Sequence, residues 1–378
     1  MTPLPADAVP EWIRSVEAYV PGRPVRELER ELGQSIIQLA SNENPLGPSP
    51  KAMAAAREAL AGGHRYSNGG DQYLREALAA RHGVCVENII LGAGSSEIIG
   101  LAARALLGPG DAGVTSRSTF PLYPISIRIT GAGLIETPLR DNAIDLEAIA
   151  AALPARTKVI FLANPNNPTG TMFIAGEFET FLARVPQNVL IVIDEAYCDY
   201  VARNDYPRTI EMLRERRNIL ILRTFSKVFG LAGYRIGYGI GDSALIREFD
   251  KIRAPYNTSL VAEAAALAAL EDRDHVQQSV ECNREGLLQL ARGLEVIGAS
   301  YVPSCANFML VNLQRDAQEI AAQLQKSAVL ARPMGFMGLP ESIRVSVGTN
   351  IQITKFLFAL AQLQREPPTA RAKTREDR

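Results

Sequence analysis

Four short apolar runs constrain the fold of this 378-residue chain more than any other feature. They are NIIL at 88–91, KVIFLA at 158–163, VLIVI at 189–193 and ILIL at 219–222. None shows the polar alternation of a half-exposed strand, and such runs are typical of strands buried on both faces of a parallel sheet. Helical segments lie between them. The pattern predicts an α/β fold with a mostly parallel sheet.

A polar loop follows each run, and the four loops read GAGSSE, NPNNPTG, DEAY and RTFSK. Ligands of open α/β sheets bind at the carboxyl ends of the strands. Loops that are distant in the sequence should therefore meet at one edge of the sheet. The sequence predicts a single site there.

Lys227 follows the last of these runs, in the sequence TFSK. The alternative without a functional role is a surface lysine at the start of a helix. However, a partly desolvated amine near other cations has a lowered pKa and can attack an aldehyde. The hydroxyls of Thr224 and Ser226 and the guanidinium of Arg235 are groups that bind a phosphate. The pattern favours a nucleophilic lysine beside a phosphate site.

Asp194 ends the third run, where a buried carboxylate needs a cationic partner. A pyridinium nitrogen would serve, and its protonation makes the ring an electron sink. Tyr197 is placed to donate to a phenolic oxygen of such a ring. The alternative is that Asp194 only caps the following helix.

The two remaining loops offer further ligand-binding groups. In NPNNPTG each proline restricts the residue before it, so Asn164 and Asn167 are held rigidly. Gly94 and Ser95 stand at a predicted helix start, where free N–H groups bind phosphate. The GAGSS sequence lacks the third glycine of a dinucleotide fingerprint. Phe120 could stack on a flat ring, although core packing is the alternative.

These motifs resemble those of the fold-type-I aminotransferases that depend on pyridoxal 5′-phosphate (PLP), and more narrowly the histidinol-phosphate aminotransferases. NPNNPTG, DEAY, TFSK and LAGYRIGY carry the resemblance, with SNENPLGPSP at 41–50 and TFPLY at 119–123, and it extends from about residue 19 to residue 349. It implies a three-layer α/β/α large domain at 41–260 and a smaller α+β domain at 261–365. Residues 1–40 would form an arm and part of the small domain. The polar tail at 366–378 is predicted to be disordered.

The resemblance also implies roles for individual residues. Lys227 would bind the cofactor covalently, Asp194 would pair with its pyridine nitrogen, and Tyr197 with Asn167 would hold its 3′-oxygen. Phe120 would stack on the ring. The phosphate would be held by Gly94, Ser95, Thr224, Ser226 and Arg235, and by Tyr66 of the other subunit, which implies a homodimer with shared active sites. Arg344 would bind a substrate anion, with Tyr19, Asn42, Tyr256 and Arg332 as further candidates.

The implied reaction is transamination of L-histidinol phosphate with 2-oxoglutarate, which gives imidazole acetol phosphate and glutamate, a step of histidine biosynthesis. An aromatic amino-acid aminotransferase is the main alternative, and a threonine-phosphate decarboxylase is a weaker one. The chain departs from the usual family pattern at GAGSSE, at Tyr66-Ser67-Asn68 and at Tyr234. The loop GAGSSE should tolerate the change because it acts through backbone N–H groups. Tyr234 has no sequence-based explanation.

Composition argues against other classes of function. Forty basic and 41 acidic residues give a net charge of −1, which disfavours a nucleic-acid or anionic-membrane partner. Residues 1–40 are too short and too weakly basic for the DNA-binding domain of a PLP-dependent regulator. Three histidines and four cysteines without a CxxC pair predict no metal centre. With no apolar run of about 20 residues and no signal peptide, we expect a cytoplasmic protein.

Overall fold

The computed structural model describes residues 5–17, 24–67 and 72–365. The strands of this part are β1 (Ile37–Gln38), β2 (Ile89–Gly92), β3 (Ala112–Ser116), β4 (Gly133–Thr137), β5 (Leu139–Arg140), β6 (Ala143–Ile144), β7 (Thr157–Ala163), β8 (Leu190–Asp194), β9 (Ile219–Thr224), β10 (Gly237–Gly241), β11 (Ser300–Val302), β12 (Phe308–Asn312), β13 (Val329–Leu330), β14 (Arg332–Met334) and β15 (Leu339–Ser346). The α-helices are α1 (Glu11–Arg14), α2 (Val25–Leu32), α3 (Pro50–Leu60), α4 (Gln72–His82), α5 (Ser95–Leu106), α6 (Leu122–Arg128), α7 (Leu146–Ala151), α8 (Ala175–Arg184), α9 (Thr209–Met212), α10 (Ser243–Ile252), α11 (Leu260–Glu271), α12 (Arg273–Ile297), α13 (Ala317–Lys326) and α14 (Asn350–Arg365). The predicted disorder of 366–378 concerns residues outside the described part.

A seven-stranded sheet has the strand order β2-β10-β9-β8-β7-β3-β4. Every strand is parallel to the others except β10, which runs antiparallel to both its neighbours. All four predicted strands are present, and β2 and β8 are buried along their whole length. The predicted α/β fold with a mostly parallel sheet is confirmed.

Helices cover both faces of this sheet. Ile191 and Ile193 of β8 pack with α3, α4, α8 and α11, whereas Val192 packs with α5, α6 and α10 on the opposite face. Successive strand residues point to opposite faces, so an uninterrupted apolar run serves both layers. This is the predicted three-layer α/β/α arrangement.

A smaller antiparallel sheet has the order β11-β12-β15-β14. Helices α12, α13 and α14 contribute residues to the hydrophobic cluster beneath it. Strand β1 pairs in parallel with β13, so the segment that precedes the large domain joins this part of the molecule.

Helix α11 lies with the larger sheet, although the sequence analysis grouped it with the smaller domain. Its buried alanines, Ala262, Ala265, Ala266 and Ala269, belong to the same hydrophobic cluster as Ala52 and Ala56 of α3. Small side chains let α3 and α11 approach closely. They also leave α11 without a strongly apolar stripe, so the sequence does not show which layer the helix packs against. We therefore propose a domain boundary after α11 rather than at residue 260.

Local signals account for the start of α3. Ser49 accepts a hydrogen bond from the backbone N–H of Ala52 at 3.1 Å, and Pro50 occupies the first turn. Tyr234 also finds a partner here, because its hydroxyl lies 3.4 Å from the sulfur of Met53 on this helix.

Among the described residues, no helix has both the length and the apolar character needed to cross a membrane.

Candidate active site

A cavity of about 1370 Å³ lies at the carboxyl edge of the large sheet and extends to the smaller one. The loops after β2, β7, β8 and β9 all reach it, as the sequence predicted. Most candidate residues line it, namely Asn42, Gly94, Ser95, Phe120, Asn167, Asp194, Tyr197, Thr224, Ser226, Lys227, Arg235, Arg332 and Arg344. Distant loops meet here because parallel strands end at the same edge.

Lys227 extends its amine into this cavity. Its Nζ donates to the backbone carbonyl of Asn42 at 3.2 Å and lies 5.6 Å from the ring centroid of Tyr197. Burial, with the positive charge of Arg344, lowers the pKa of Lys227 from 10.5 to about 8. The neutral, nucleophilic form is thereby roughly two orders of magnitude more populated at pH 7 than in a solvated lysine.

Asp194 is buried at the end of β8. Its Oδ2 accepts from the Tyr123 hydroxyl at 2.8 Å, and its Oδ1 accepts from the Ala196 N–H at 3.2 Å. Burial raises the pKa of Asp194 to about 6. The short helical turn that follows begins after Tyr197, so Asp194 is not its N-cap. A cationic partner in the cavity would favour the ionised carboxylate.

Tyr123 is a residue of the site that the sequence did not predict. It lies in α6, is 1% exposed and stacks on Phe161, with ring centroids 5.5 Å apart. Its partner Asp194 is 71 residues away in the sequence, so no local pattern connects the two. Phe120 packs edge-on against Tyr123 while it lines the cavity.

The three asparagines of NPNNPTG have different tasks. The side-chain N–H of Asn164 donates to the Phe173 carbonyl, and the side-chain oxygen of Asn164 accepts from the Phe173 N–H. Asn166 accepts from the Thr119 hydroxyl at 2.7 Å. These contacts shape the loop, in which both X-Pro bonds are cis, and Asn167 alone of the three lines the cavity.

The start of α5 forms a cradle for an anion. Gly94 has φ 78°, and a Cβ atom there would collide with the guanidinium of Arg235. A Cβ on Gly237 would likewise collide with the backbone N–H of Ser95. Arg235 is held over the helix start by its bond to the Ala232 carbonyl at 3.0 Å. Within the described residues no carboxylate pairs with Arg235, which leaves its charge for a ligand.

Hydroxyls complete the cradle on its β9 side. The Thr224 oxygen accepts from the Ser226 N–H at 3.1 Å, and both residues line the cavity. Free N–H groups, hydroxyls and a guanidinium at a helix start are the donors that a phosphate requires. With an amine at Lys227 and a carboxylate at Asp194, the donor set fits PLP. No group of three or more His, Cys, Asp or Glu in the described ranges could hold a metal ion.

Two arginines line the part of the cavity that the smaller sheet forms. Arg332 of β14 and Arg344 of β15 are register partners in the antiparallel sheet, so they project on one face. Arg344 donates to Asn167 Oδ1 at 2.6 Å and to the Ala40 carbonyl at 2.7 Å. Arg332 lies over the ring of Phe336, 5.1 Å from its centroid. The pair presents two adjacent guanidinium groups to the cavity.

Two predicted residues, Tyr66 and Tyr256, do not line this cavity. Tyr66 and Tyr256 stack on each other, with centroids 4.5 Å apart, and are 75% and 53% exposed. The substrate-binding role suggested for Tyr256 stays a prediction. Tyr19 lies outside the described residues.

Comparison with known proteins agrees with this geometry. The family model for aminotransferase class I and II matches residues 34–360. A histidinol-phosphate aminotransferase of Moorella thermoacetica is 44% identical over 93% of this chain and 92% of its own length. One from Halalkalibacterium halodurans is 42% identical over 93% and 95%. The crystal structure of histidinol-phosphate aminotransferase from Sinorhizobium meliloti in complex with pyridoxal-5′-phosphate has a TM-score of 0.87, with 31% identity over 94% of this chain and 97% of that one.

Proposed function

The chain belongs to the class I and II aminotransferases, and from that premise we propose that it transfers the amino group of L-histidinol phosphate to 2-oxoglutarate. The observation that carries the proposal is the paired Arg332 and Arg344 on the wall facing Lys227. Histidinol phosphate carries a phosphate and no α-carboxylate, whereas glutamate carries two carboxylates. Two adjacent guanidinium groups can bind the anionic groups of either substrate. The relatives at 42–44% identity bear the corresponding name.

The cofactor PLP, when bound, supplies an aldehyde that links to amines and a ring that withdraws electrons from the adjacent carbon. Lys227 is the residue that would hold the cofactor through its amine. Whenever that amine is free, its Nζ would accept a proton from the substrate carbon that carries the amino group. The lowered pKa of Lys227, about 8, suits this exchange of a proton near neutral pH.

The surrounding residues hold the reacting groups in place. The carboxylate of Asp194 would pair with the ring nitrogen and keep a proton there, and Tyr123 and Ala196 fix the orientation of that carboxylate. Asn167 and Tyr197 would bind the ring oxygen, and Phe120 would cover the ring. The phosphate would be held by Arg235, Ser226, Thr224, Gly94 and Ser95. Arg344 and Arg332 align the substrate so that its reacting carbon faces Nζ.

Comparing amino donors tests the substrate. We expect a specificity constant for histidinol phosphate at least tenfold above that for phenylalanine, measured as the rate of cofactor bleaching against donor concentration. Arg332→Gln should lower the constant for histidinol phosphate much more than that for phenylalanine, because a dianionic phosphate gains more from a second guanidinium than a single carboxylate does. A wide preference for phenylalanine would instead identify an aromatic amino-acid aminotransferase.

We also propose that the enzyme is a homodimer in which Tyr66 completes the phosphate site of the partner. In support, Tyr66 stacks on Tyr256 and is 75% exposed, so a second chain can reach it; Tyr73 is exposed to a similar extent, at 73%. The four cysteines are free, as a reducing compartment would keep them, and this supports a cytoplasmic location.

Mixed dimers test the shared site. Tyr66→Ala and Lys227→Ala chains, unfolded and refolded together, should regain some sites with wild-type affinity for PLP, because one site receives both intact residues. Tyr73→Ala mixed with Lys227→Ala is the control and should give only the sum of the separate proteins. If the Tyr66 mixture also gives only that sum, each site is built from one chain.

A further inference from the structure

Asn42 lies between the two sheets, four residues after β1. It is 1% exposed and has φ 55°, in the left-handed region that asparagine tolerates better than most residues. The sequence analysis counted it among the candidates for substrate binding. Its hydrogen bonds show that every polar group it carries is already engaged by the protein.

The side-chain amide of Asn42 bonds to Tyr197 and Ser346. The backbone N–H of Asn42 donates to Ser346 Oγ at 2.8 Å, so this hydroxyl directs its own proton to Asn42 Oδ1, 3.2 Å away. The oxygen side of the amide is thereby fixed at Ser346. The Nδ2 side must then face Tyr197, and it donates to the phenol oxygen at 3.0 Å.

That bond determines where the Tyr197 proton points. Because the phenol oxygen accepts from Asn42, its O–H must donate in another direction. Tyr197 lines the cavity, and the edge of its ring packs against Phe308, so the open direction for the proton is the cavity.

The backbone carbonyl of Asn42 has a second task. It accepts from Lys227 Nζ at 3.2 Å and from Asn307 Nδ2 at 3.0 Å. Asn307 precedes β12, and Ser346 ends β15, two residues after Arg344. One buried residue therefore joins the amine of Lys227 and the hydroxyl of Tyr197 to the strand that carries Arg344.

We propose that Asn42 is a positioning residue: its amide turns the Tyr197 hydroxyl toward the ring oxygen of PLP, and its carbonyl holds the amine of Lys227. The inference rests on the proposed function only in that PLP occupies the cavity. It requires no particular amino donor.

The charges around Tyr197 set the size of the effect. Asp194 and Lys227 face it from the ends of β8 and β9, Arg344 faces it from β15, and the phenols of Tyr123 and Tyr200 lie nearby. Burial raises the pKa of Tyr197, while Arg344 and the bond from Asn42 act in the opposite direction. Loss of the Asn42 amide should therefore make the Tyr197 O–H a weaker donor.

A substitution by glycine separates the two tasks of Asn42. Asn42→Gly keeps the left-handed backbone, and with it the carbonyl that accepts from Lys227, but removes the amide. A donor to the ring oxygen stabilises its negative charge, so a weaker donor lets that oxygen hold its proton to higher pH. We expect the pH midpoint of the visible absorbance of bound PLP to rise by about 0.4–1 unit, the worth of one hydrogen bond. The dissociation constant of PLP should rise in parallel.

A double-mutant cycle tests whether the amide acts through Tyr197. Tyr197→Phe should raise the midpoint at least as much as Asn42→Gly, and the double variant should match Tyr197→Phe alone. An unshifted midpoint in Asn42→Gly, or additive shifts in the double variant, would overturn the proposal. Asn42→Asp provides a second arm if the glycine variant does not fold, because its carboxylate would draw the Tyr197 proton away and should shift the midpoint further.

Asn44→Ala is the matched control. Asn44 is a buried asparagine of the same segment whose amide binds the Val228 carbonyl and Ser279, and it does not line the cavity. Its loss should lower thermal stability and leave the absorbance midpoint unchanged; an equal shift would mean that the midpoint reports general destabilisation and would refute the proposed role of Asn42. A protein that binds PLP but does not react with histidinol phosphate would refute the proposed substrate. The absorbance test of Asn42 would remain valid, because it needs only bound PLP.

Discussion

Arg344 Nη1 donates to Asn167 Oδ1 at 2.6 Å, and this bond joins a strand of the smaller sheet to a loop of the larger one. The two residues are 177 positions apart in the chain. A substrate anion bound to Arg344 is consequently held in a fixed position relative to the loop that faces the ring. The arrangement supplies orientation, which enzymes use to lower the barrier of a step between bound groups.

Arg344→Lys should therefore impair catalysis strongly, although it keeps the positive charge. Lysine cannot bind Asn167, the Ala40 carbonyl and a carboxylate together in the planar geometry of a guanidinium. We expect kcat/KM for glutamate to fall by roughly 10²–10³-fold, since two charge-assisted hydrogen bonds are lost or weakened. Arg128→Lys, at an exposed arginine on the cavity rim, is the control. An Arg344→Lys enzyme within threefold of wild type would contradict the assignment.

Lys227→Ala should abolish covalent binding of the cofactor. Borohydride reduction followed by mass spectrometry should find a peptide-bound cofactor in the wild type and none in the variant. Lys251→Ala, at an exposed lysine paired with Glu248 on α10, should label like the wild type. Labelling that survives in Lys227→Ala would place the link on another amine.

Asp194→Asn should stabilise the cofactor-free protein in a pH-dependent manner. The pKa of Asp194 in the folded state, about 6, lies above the ordinary value of 3.8, so the folded state binds the proton more tightly. The ionised group therefore destabilises the fold as pH rises from about 4 to 6. The advantage of Asn over Asp in the free energy of unfolding should be about 1 kcal/mol larger at pH 7.5 than at pH 5.

Urea denaturation of the cofactor-free proteins at the two pH values measures this difference. With PLP bound, the wild type should be more stable than Asp194→Asn, because the protonated ring nitrogen gives the buried carboxylate a cationic partner. An Asn variant with the same pH profile as the wild type would mean that Asp194 is already neutralised by another partner.

The buried ion pair behind the site should be strongly coupled. Glu195 has a side-chain exposure of 0%, and it accepts from Arg223 Nη2 at 2.7 Å and from the Thr209 hydroxyl at 2.6 Å. Removing one partner leaves a buried charge, which costs about 3–5 kcal/mol. We expect Glu195→Gln combined with Arg223→Met to be less destabilising than the sum of the single changes by more than about 1 kcal/mol.

Denaturation of the four proteins in the cycle gives this coupling energy directly. The exposed pair of Glu248 and Lys251 serves as the comparison and should show a coupling below about 1 kcal/mol. Additive effects at Glu195 and Arg223 would show that water reaches the pair in solution.

Much of the fold could be predicted from the sequence because its signals are local. The runs that became β2, β7, β8 and β9 are continuous and apolar, and the loops after them carry the groups that line the cavity. Strands β3, β4 and β10 gave no comparable signal. Strand β10 reads GYGIG, and a Cβ at Gly237 or Gly239 would crowd the backbone of Ser95 or the side chain of Ile90, so its glycines permit this close packing.

The sequence by itself determined which loops line the cavity, since Lys227, Asp194 and Asn167 each stand in a short motif beside a strand. Only the tertiary structure decided how those residues are held. Tyr123 reaches Asp194, Asn42 reaches Tyr197, and Arg344 reaches Asn167 across separations of 71, 155 and 177 residues. Such bonds depend on where the whole chain places two elements, and no local propensity or periodicity records that placement.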